Sequence, residues 1–316
     1  MKILTLTACP AFDIHLSLPH LSLLCENTAD SIRRDAGGKG INISRALTAN
    51  GIPNRALVVL GKQNSADFTD LLASFGIDFL PLVCDGRIRE NITIHHDGGE
   101  TRISAESPDA PAGLADCLFD TVRREIGEDG ADTVLTVTGR LPRGVSPLVF
   151  GDIARETGVG LVIDSRSFTP DDLKQVHPWL IKPNAEEIGS LFGCPVSTLP
   201  EAARAAERLR HSLGIDNVMV SLGASGAVLA CKDGIFMTPA PPVSVESTVG
   251  AGDSSIAGFL AAKSRGASAV DCLRTAVAYG SAACEQVGTA PPTPSEIIRL
   301  RNLSDGKDGN LACRSL

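Results

Sequence analysis

The sequence has no surplus of positive charge: its 316 residues carry 29 Lys and Arg against 37 Asp and Glu, a formal net charge of -8. A nucleic acid or an anionic membrane as main partner would need a basic face, so both are excluded in that role, and any anionic ligand must be met by cations concentrated locally. Paired cysteine spacing is also missing. The nine cysteines are odd in number, scattered and free of Cys-x-x-Cys spacing, which indicates neither a disulfide framework nor a zinc site and reads as a reduced, cytoplasmic protein. No apolar run approaches the roughly 20 residues of a membrane span, and there is no internal repeat, low-complexity linker or clean domain boundary. Two nucleotide signatures are absent. The glycine turn around Lys39 has no Ser or Thr after its lysine, so it is not a Walker A loop. Cys9-Pro10-Ala11 stands where a dinucleotide fingerprint would follow the first strand, which argues against a nicotinamide dehydrogenase.

What is present is a chain that is 43% hydrophobic, enough for one large α/β core. Ile3 to Thr7 reads as a first strand, and Ile14 to Leu18 and Thr28 to Arg34 as peripheral strands. A helix is expected from Asn42 to Asn50, then strand 56–60, helix 65–75 and strand 77–82. Residues 87–104 alternate as a β-hairpin turning at Asp97-Gly98-Gly99-Glu100. From Pro111 onward strands 133–138, 160–164, 180–182 and 217–221 alternate with helices ending near Ile126, Thr157, Phe192 and Leu213, which predicts a mostly parallel sheet. A second hairpin (227–230, 235–238), a long helix from Ala269 to about Gln286 and a short one from Pro294 to Asn302 complete the pattern, with a loose tail over 304–316.

The stretch around which the rest is arranged is Ser247-Thr248-Val249-Gly250-Ala251-Gly252-Asp253-Ser254, read as a strand end, a glycine turn and a helix start. Backbone N–H groups of Gly250, Ala251 and Gly252 with the helix dipole make an anion hole, and Asp253 in the first turn is either a candidate base that stays ionised or merely a helix-start acid behind a tight turn. Ala36-Gly37-Gly38-Lys39-Gly40-Ile41-Asn42 is a second anion site, with a lysine in a glycine turn at a helix N-terminus. Asp13, at a strand's carboxyl end, is either a ligand contact or a solvated turn acid. Arg87, Arg89 and Asn91 share one strand face, as a phosphate or hydroxyl clamp or as a charged solvated edge. The adjacent His95 and His96 point to opposite faces and so do not suggest a metal pair. Asn184 and Glu187 fit a capping box, or could orient hydrated Mg2+ beside phosphates. Leu222-Gly223-Ala224-Ser225-Gly226 is an edge loop that lets a flat ring approach the backbone, and the loops at 139–144 and 164–166 lie on the same edge.

In order along nearly the whole chain, these motifs resemble the ribokinase-like (PfkB) carbohydrate kinases. The resemblance rests on Asp13 after its proline, Gly-Gly-Lys-Gly-Ile-Asn up to Asn42, Arg89-x-Asn91, Gly139-x-Leu141-Pro142, Lys182-Pro183-Asn184 with Glu187, Ser221-Leu222-Gly223-x-x-Gly226 and the Gly250–Asp253 stretch. Lys39 and the form STVGAGDS make it most similar to the branch holding 1-phosphofructokinase and tagatose-6-phosphate kinase. The resemblance implies a three-layer α/β domain over residues 1–303 with a β lid from about 12–35 and 87–104, often dimeric through the lid. It implies ATP at Lys182, Asn184, Ser221, Gly223, Gly226, Thr248, Gly250 and Gly252, with Mg2+ near Glu187 through water. A ketohexose phosphate would contact Asp13, Gly38, Asn42 and Asn91, its phosphate would meet Lys39 and Arg89 with help from Arg140 or Arg143, and Asp253 would take the proton of the attacking hydroxyl. The implied activity is fructose 1-phosphate kinase, with tagatose 6-phosphate or fructose 6-phosphate as alternative acceptors, and a non-catalytic sugar-phosphate-binding regulator as a different class.

Two departures bear on the acceptor. The branch usually reads Asn-Pro-Ala where this chain has Cys9-Pro10-Ala11, and Ser-Gly-Ser-Leu-Pro where it has Thr138-Gly139-Arg140-Leu141-Pro142. An amide leaves the pocket rim in the first case, and an arginine replaces a phosphate-contacting serine in the second.

Overall fold

The computed structural model describes residues 1–305. The first strand, β1 (Lys2–Thr7), is followed by β2 (Ala11–Ser17), β3 (Ser31–Gly37), α1 (Lys39–Ala49), β4 (Arg55–Gly61), α2 (Ser65–Ser74), β5 (Phe79–Cys84), β6 (Arg89–His96) and β7 (Gly99–Ser104). Then come α3 (Leu114–Ile126), β8 (Thr133–Thr138), α4 (Leu148–Thr157), β9 (Gly160–Asp164), α5 (Pro170–Val176), β10 (Leu180–Ile181), α6 (Ala185–Phe192) and α7 (Leu199–Leu213). The chain ends its described part with β11 (Asn217–Ser221), β12 (Ala227–Cys231), β13 (Gly234–Thr238), α8 (Ala251–Ser264), α9 (Ala269–Cys284) and α10 (Pro294–Asp305).

Nine strands form one sheet in the order β13-β12-β11-β10-β9-β8-β1-β4-β5. From β11 to β5 every pair is parallel, and only the β11–β12 and β12–β13 pairs are antiparallel. The inner strands are apolar on both faces because both faces are covered. In β1, Leu4 and Leu6 join the core beneath α3 to α7, while Ile3 turns to the core beneath α1, α8 and α9; in β9, Leu161 and Ile163 oppose Val162 in the same way. The helices follow suit: α3 buries Leu118, Val122 and Ile126, and α7 buries Ala202, Ala206, Leu209 and Leu213, each at helical spacing. This is the expected three-layer α/β architecture.

A second sheet of four strands, β3-β2-β6-β7, stands apart from the first. It consists of two antiparallel hairpins joined through a parallel β2–β6 pair that sets Asp13 directly opposite Asn91. Its base is anchored by Phe12, which meets the Phe68 ring of α2 edge-on at 4.9 Å. His95 and His96 face opposite ways as alternation requires: His95 bonds His15 at 3.0 Å and His96 bonds Thr101 at 3.1 Å.

Several sequence expectations are corrected. No strand precedes Ser247: β13 ends at Thr238, and the segment between it and α8, which opens on Pro239, Pro241 and Pro242, forms no ladder. Helix α1 starts at Lys39 rather than Asn42. Helix α5 was not expected; a Thr169–Asp172 capping box starts it. Helix α10 runs to Asp305 instead of stopping at Asn302, and the rest of the expected tail, 306–316, lies outside the described residues.

Gly226 has a structural reason of its own. Its φ is 109°, and a Cβ there would fall 2.1 Å from the Thr238 carbonyl oxygen, so the β11–β12 turn closes only over a glycine. Gly226→Ala is expected to lose on the order of 2 kcal/mol or more in urea denaturation. A variant as stable as the parent would show that this contact is not tight.

Candidate active site

The carboxyl ends of β1, β8, β9, β10 and β11 converge on one cavity of about 480 Å3, closed on its far side by the small sheet. Thr7, Thr138, Asp164, Lys182 and Ser221 line it at those five strand ends, where ligands of open α/β sheets bind.

The start of α8 forms the floor. Gly250, in the left-handed region at φ 81°, caps the helix, and Asp253 in the first turn is 5% exposed. The Ala251 N–H is turned to the Thr248 carbonyl at 3.4 Å, whereas the N–H groups of Gly252 and Asp253 have no protein acceptor among the described residues and are the donors free to meet an anion. Asn42 Nδ2 donates to Asp253 Oδ2 at 2.9 Å, while Asn42 Oδ1 is buried without a protein partner. Complete burial pushes the Asp253 carboxyl up to about 6, against the opposing pull of Lys39, with Asp164 adding to the rise. Asp253 is therefore not the freely ionised helix-start acid that local dipole reasoning gives: its carboxylate survives burial because of neighbouring cations.

Those cations share one acid. Asp164, 7% exposed at the end of β9, accepts from Lys39 Nζ at 2.9 Å and pairs with Lys182 Nζ at 3.6 Å. Burial alone would raise the Asp164 carboxyl, but Lys182 and Lys39 together hold it below its ordinary value. Burial works against the Lys39 ammonium, yet Asp164 and Asp253 keep its pKa raised. Lys182 in turn stands over the glycine turn, its Nζ 3.1 Å from where a Gly252 Cβ would lie.

At the lid end Asp13 Oδ1 accepts from Asn91 Nδ2 at 2.9 Å and faces Arg102 Nη2 at 3.5 Å. Gly37 on β3 makes the room: a Cβ there would fall 2.0 Å from Asp13 Oδ2. Arg89 donates Nη1 to the Ala105 carbonyl at 2.8 Å, and its buried Nε has no hydrogen-bond partner among the described residues. Arg140 lines the cavity, exposed. On the other wall, Asn184 and Glu187 form the capping box: Asn184 Oδ1 accepts from Glu187 N at 2.8 Å, and Glu187 Oε2 from Asn184 N at 3.0 Å. Glu187 Oε1 also accepts from Arg166 Nε at 3.2 Å.

The cavity thus gathers Asp13, Gly38, Lys39, Asn42, Arg89, Asn91 and Arg140 from the expected acceptor side. From the expected nucleotide side it gathers Lys182, Asn184, Glu187, Ser221, Gly250 and Gly252, with Asp253 between. Gly223, Gly226, Thr248 and Ala251 do not line it. Arg87 and Arg143 are also outside, Arg87 against Glu90 at 3.2 Å and Arg143 against Asp109 at 2.9 Å, so neither joins a phosphate cluster. Sequence reasoning placed the loop at 164–166 on the ligand edge but gave Asp164 no role in the site. It missed Arg102 entirely, because nothing local marks an arginine on an edge strand.

Comparison with known proteins gives concordant results. Residues 14–296 match the profile of the pfkB family carbohydrate kinases. The chain is 32% identical over 297 residues to a 1-phosphofructokinase of Haemophilus influenzae, covering 90% of this chain and 91% of that protein. It is 34% identical over 300 residues to one of Haloferax volcanii, covering 94% and 95%. Among solved structures, phosphofructokinase-2 of Escherichia coli in complex with substrates and products superposes with a TM-score of 0.86 at 24% identity, over 96% of this chain and all of that one.

The raised Asp253 carboxyl has a consequence for stability. With a folded value of about 6 against an ordinary 3.8, the native state holds the proton more tightly than the unfolded chain does. Folding therefore weakens as pH rises from about 4 to 6 and carries a constant penalty above that. Asp253→Asn is expected to be more stable than the parent by roughly 1–3 kcal/mol at pH 7.5, with the gain vanishing near pH 4. Urea midpoints at the two pH values check this, and an equal effect at both would contradict it.

Proposed function

Since the chain belongs to the pfkB family of carbohydrate kinases, we propose that it transfers the γ-phosphoryl group of ATP to a hydroxyl of a ketohexose phosphate, fructose 1-phosphate giving fructose 1,6-bisphosphate. The observation that carries the reading is the single cavity in which a buried carboxylate at an anion-binding helix start faces a second carboxylate held on a lid. The choice of acceptor rests on the relatives named 1-phosphofructokinase, which match at 32–34% identity over about nine-tenths of the chain or more.

In the proposed reaction Asp13, Asn91, Gly38 and Asn42 hold the sugar, and Asp253 takes the proton of the attacking hydroxyl as its oxygen bonds the γ-phosphorus and the bond to ADP breaks. The N–H groups of Gly252 and Asp253, with the α8 dipole, neutralise charge on the transferring group. Lys39 is read at that point too, rather than on the acceptor's phosphate as the resemblance implied; its ion pair with Asp164 and the influence of Asp253 on its ammonium support that reading. Lys182, Asn184, Ser221 and Gly250 contact the nucleotide phosphates, with Gly223 and Thr248 farther out along the nucleotide, and Gly226 holds the turn. The Glu187 carboxylate lines the cavity beside these groups and suits Mg2+, which keeps much of its water and is held by one or two carboxylates plus phosphates. When bound, Mg2+ would offset phosphate charge.

The lid also supports a homodimer. Its face turned away from the cavity bears Ile14, Leu16, Ile32, Ile92, Ile94 and Ile103, with Ile32 70% and Ile103 57% exposed. No described helix is long and apolar enough to cross a membrane.

Asp253→Asn should lower kcat by about 10² to 10⁴ with ATP affinity little changed. Retention of more than about a third of parental kcat, with chemistry limiting, would remove Asp253 from the role of base. An ATP-consumption panel over fructose 1-phosphate, fructose 6-phosphate, tagatose 6-phosphate and free sugars tests the acceptor: free fructose used as well as any sugar phosphate would sink the assignment. Ile103→Asp should convert a dimer to monomer in size-exclusion chromatography with light scattering, and an unchanged mass would place the interface elsewhere.

A further inference from the structure

Arg102 is an arginine on an outer edge strand that reaches inward. It lies opposite Thr93 in the β6–β7 ladder, and its guanidinium crosses β6 to stand 3.5 Å from Asp13 on β2. There it lines both the central cavity and an adjoining cleft of about 450 Å3 between the lid and the core. A half-exposed arginine on a strand whose every residue is exposed would ordinarily extend into water.

The cations around the cavity are not equivalent. Lys39 and Lys182 are bound to Asp164 at the transfer end. Arg89 gives Nη1 to the Ala105 carbonyl, and Arg143 is outside with Asp109. Among the described residues Arg102 has one polar contact, with an Asp13 oxygen that already accepts from Asn91. A guanidinium has five donors in a planar fork suited to a phosphate, so most of those on Arg102 are uncommitted. An acceptor with a terminal phosphate carries it at the end of the carbon chain away from the reacting hydroxyl. With Asp253 on a core helix, that phosphate comes to the lid end.

We propose that Arg102 is a specificity-determining residue that binds the phosphate already carried by the acceptor while its remaining donor orients Asp13 on the sugar. The inference rests on the kinase reading and adds to it the cation that separates phosphorylated from free sugars. Arg140 also lines the cavity and is a further cation within it.

Arg102→Gln keeps a polar side chain and removes the charge, and Arg102→Lys keeps the charge without the fork. With ATP as donor, Arg102→Gln should lose about ten- to a hundredfold in kcat/KM for fructose 1-phosphate. The loss should appear in KM, with KM for ATP unchanged, a clearly smaller loss in kcat/KM for free fructose that reads the Asp13 contact alone, and partial recovery in Arg102→Lys. Equal losses on fructose 1-phosphate and free fructose would show that Arg102 acts only through Asp13 and overturn the proposal. Calorimetric binding of fructose 1-phosphate without ATP reads the contact independently of turnover. Weaker binding in Arg102→Gln supports it even for a protein that fails as a kinase, and unchanged affinity overturns it.

Discussion

The site depends on a buried carboxylate placed between two lysines. Asp164 cannot be desolvated alone, because an unpaired ion at that depth would cost several kcal/mol, and neither could Lys182, which is 6% exposed. Together with Lys39 they leave one net positive charge, set beside Asp253. That balance lets a fully buried Asp253 stop at a pKa of about 6 rather than remain neutral throughout the physiological range. A carboxyl poised there is ionised at neutral pH and still basic enough to take a proton from a hydroxyl under attack.

The fold supplies this arrangement by convergence. Lys39 comes from the first turn of α1, Asp164 from the end of β9, Lys182 from just past β10 and Asp253 from α8. Asp164, Lys182 and Asp253 are themselves buried, so these charges are fixed before any ligand arrives. The end of the cavity at the small sheet, proposed to hold the acceptor, is built differently. Asp13, Asn91 and Arg102 ride on a four-stranded sheet that is anchored at its base through Phe12 and half-exposed elsewhere. A rigid transfer end and a less buried acceptor end suit a reaction in which water must be excluded only once the sugar is in place.

Much of this was legible in the sequence where local signals and tertiary outcome agree. The strands Thr133–Thr138, Gly160–Asp164 and Asn217–Ser221 follow the expected bounds, because short apolar runs between breakers have few alternatives in a parallel sheet. The glycine-rich turns at Gly38 and Gly250 do reach one cavity with Asn42 and Asp253. Legibility failed where placement depends on a partner distant in sequence. Gly226 looks like another ligand-facing glycine until the Thr238 carbonyl is seen against it. The pairing of Lys39 with Asp164 spans 125 residues, and Arg102 gains its meaning only from the parallel β2–β6 register that brings Asp13 within reach. Helix α5 was missed because seven residues with two buried apolar side chains carry almost no period.

Burial raises the Asp253 carboxyl most, and Asp164 tunes it further through charge. Its own negative charge raises the Asp253 carboxyl, and it also neutralises the lysines that would lower it. The pH dependence of kcat in Asp164→Asn, measured with fructose 1-phosphate and ATP where chemistry limits turnover, tests this directly. The parent should lose activity as pH falls through about 6, and in the variant that acid limb should move to lower pH. An acid limb that stays in place or moves upward would contradict the account.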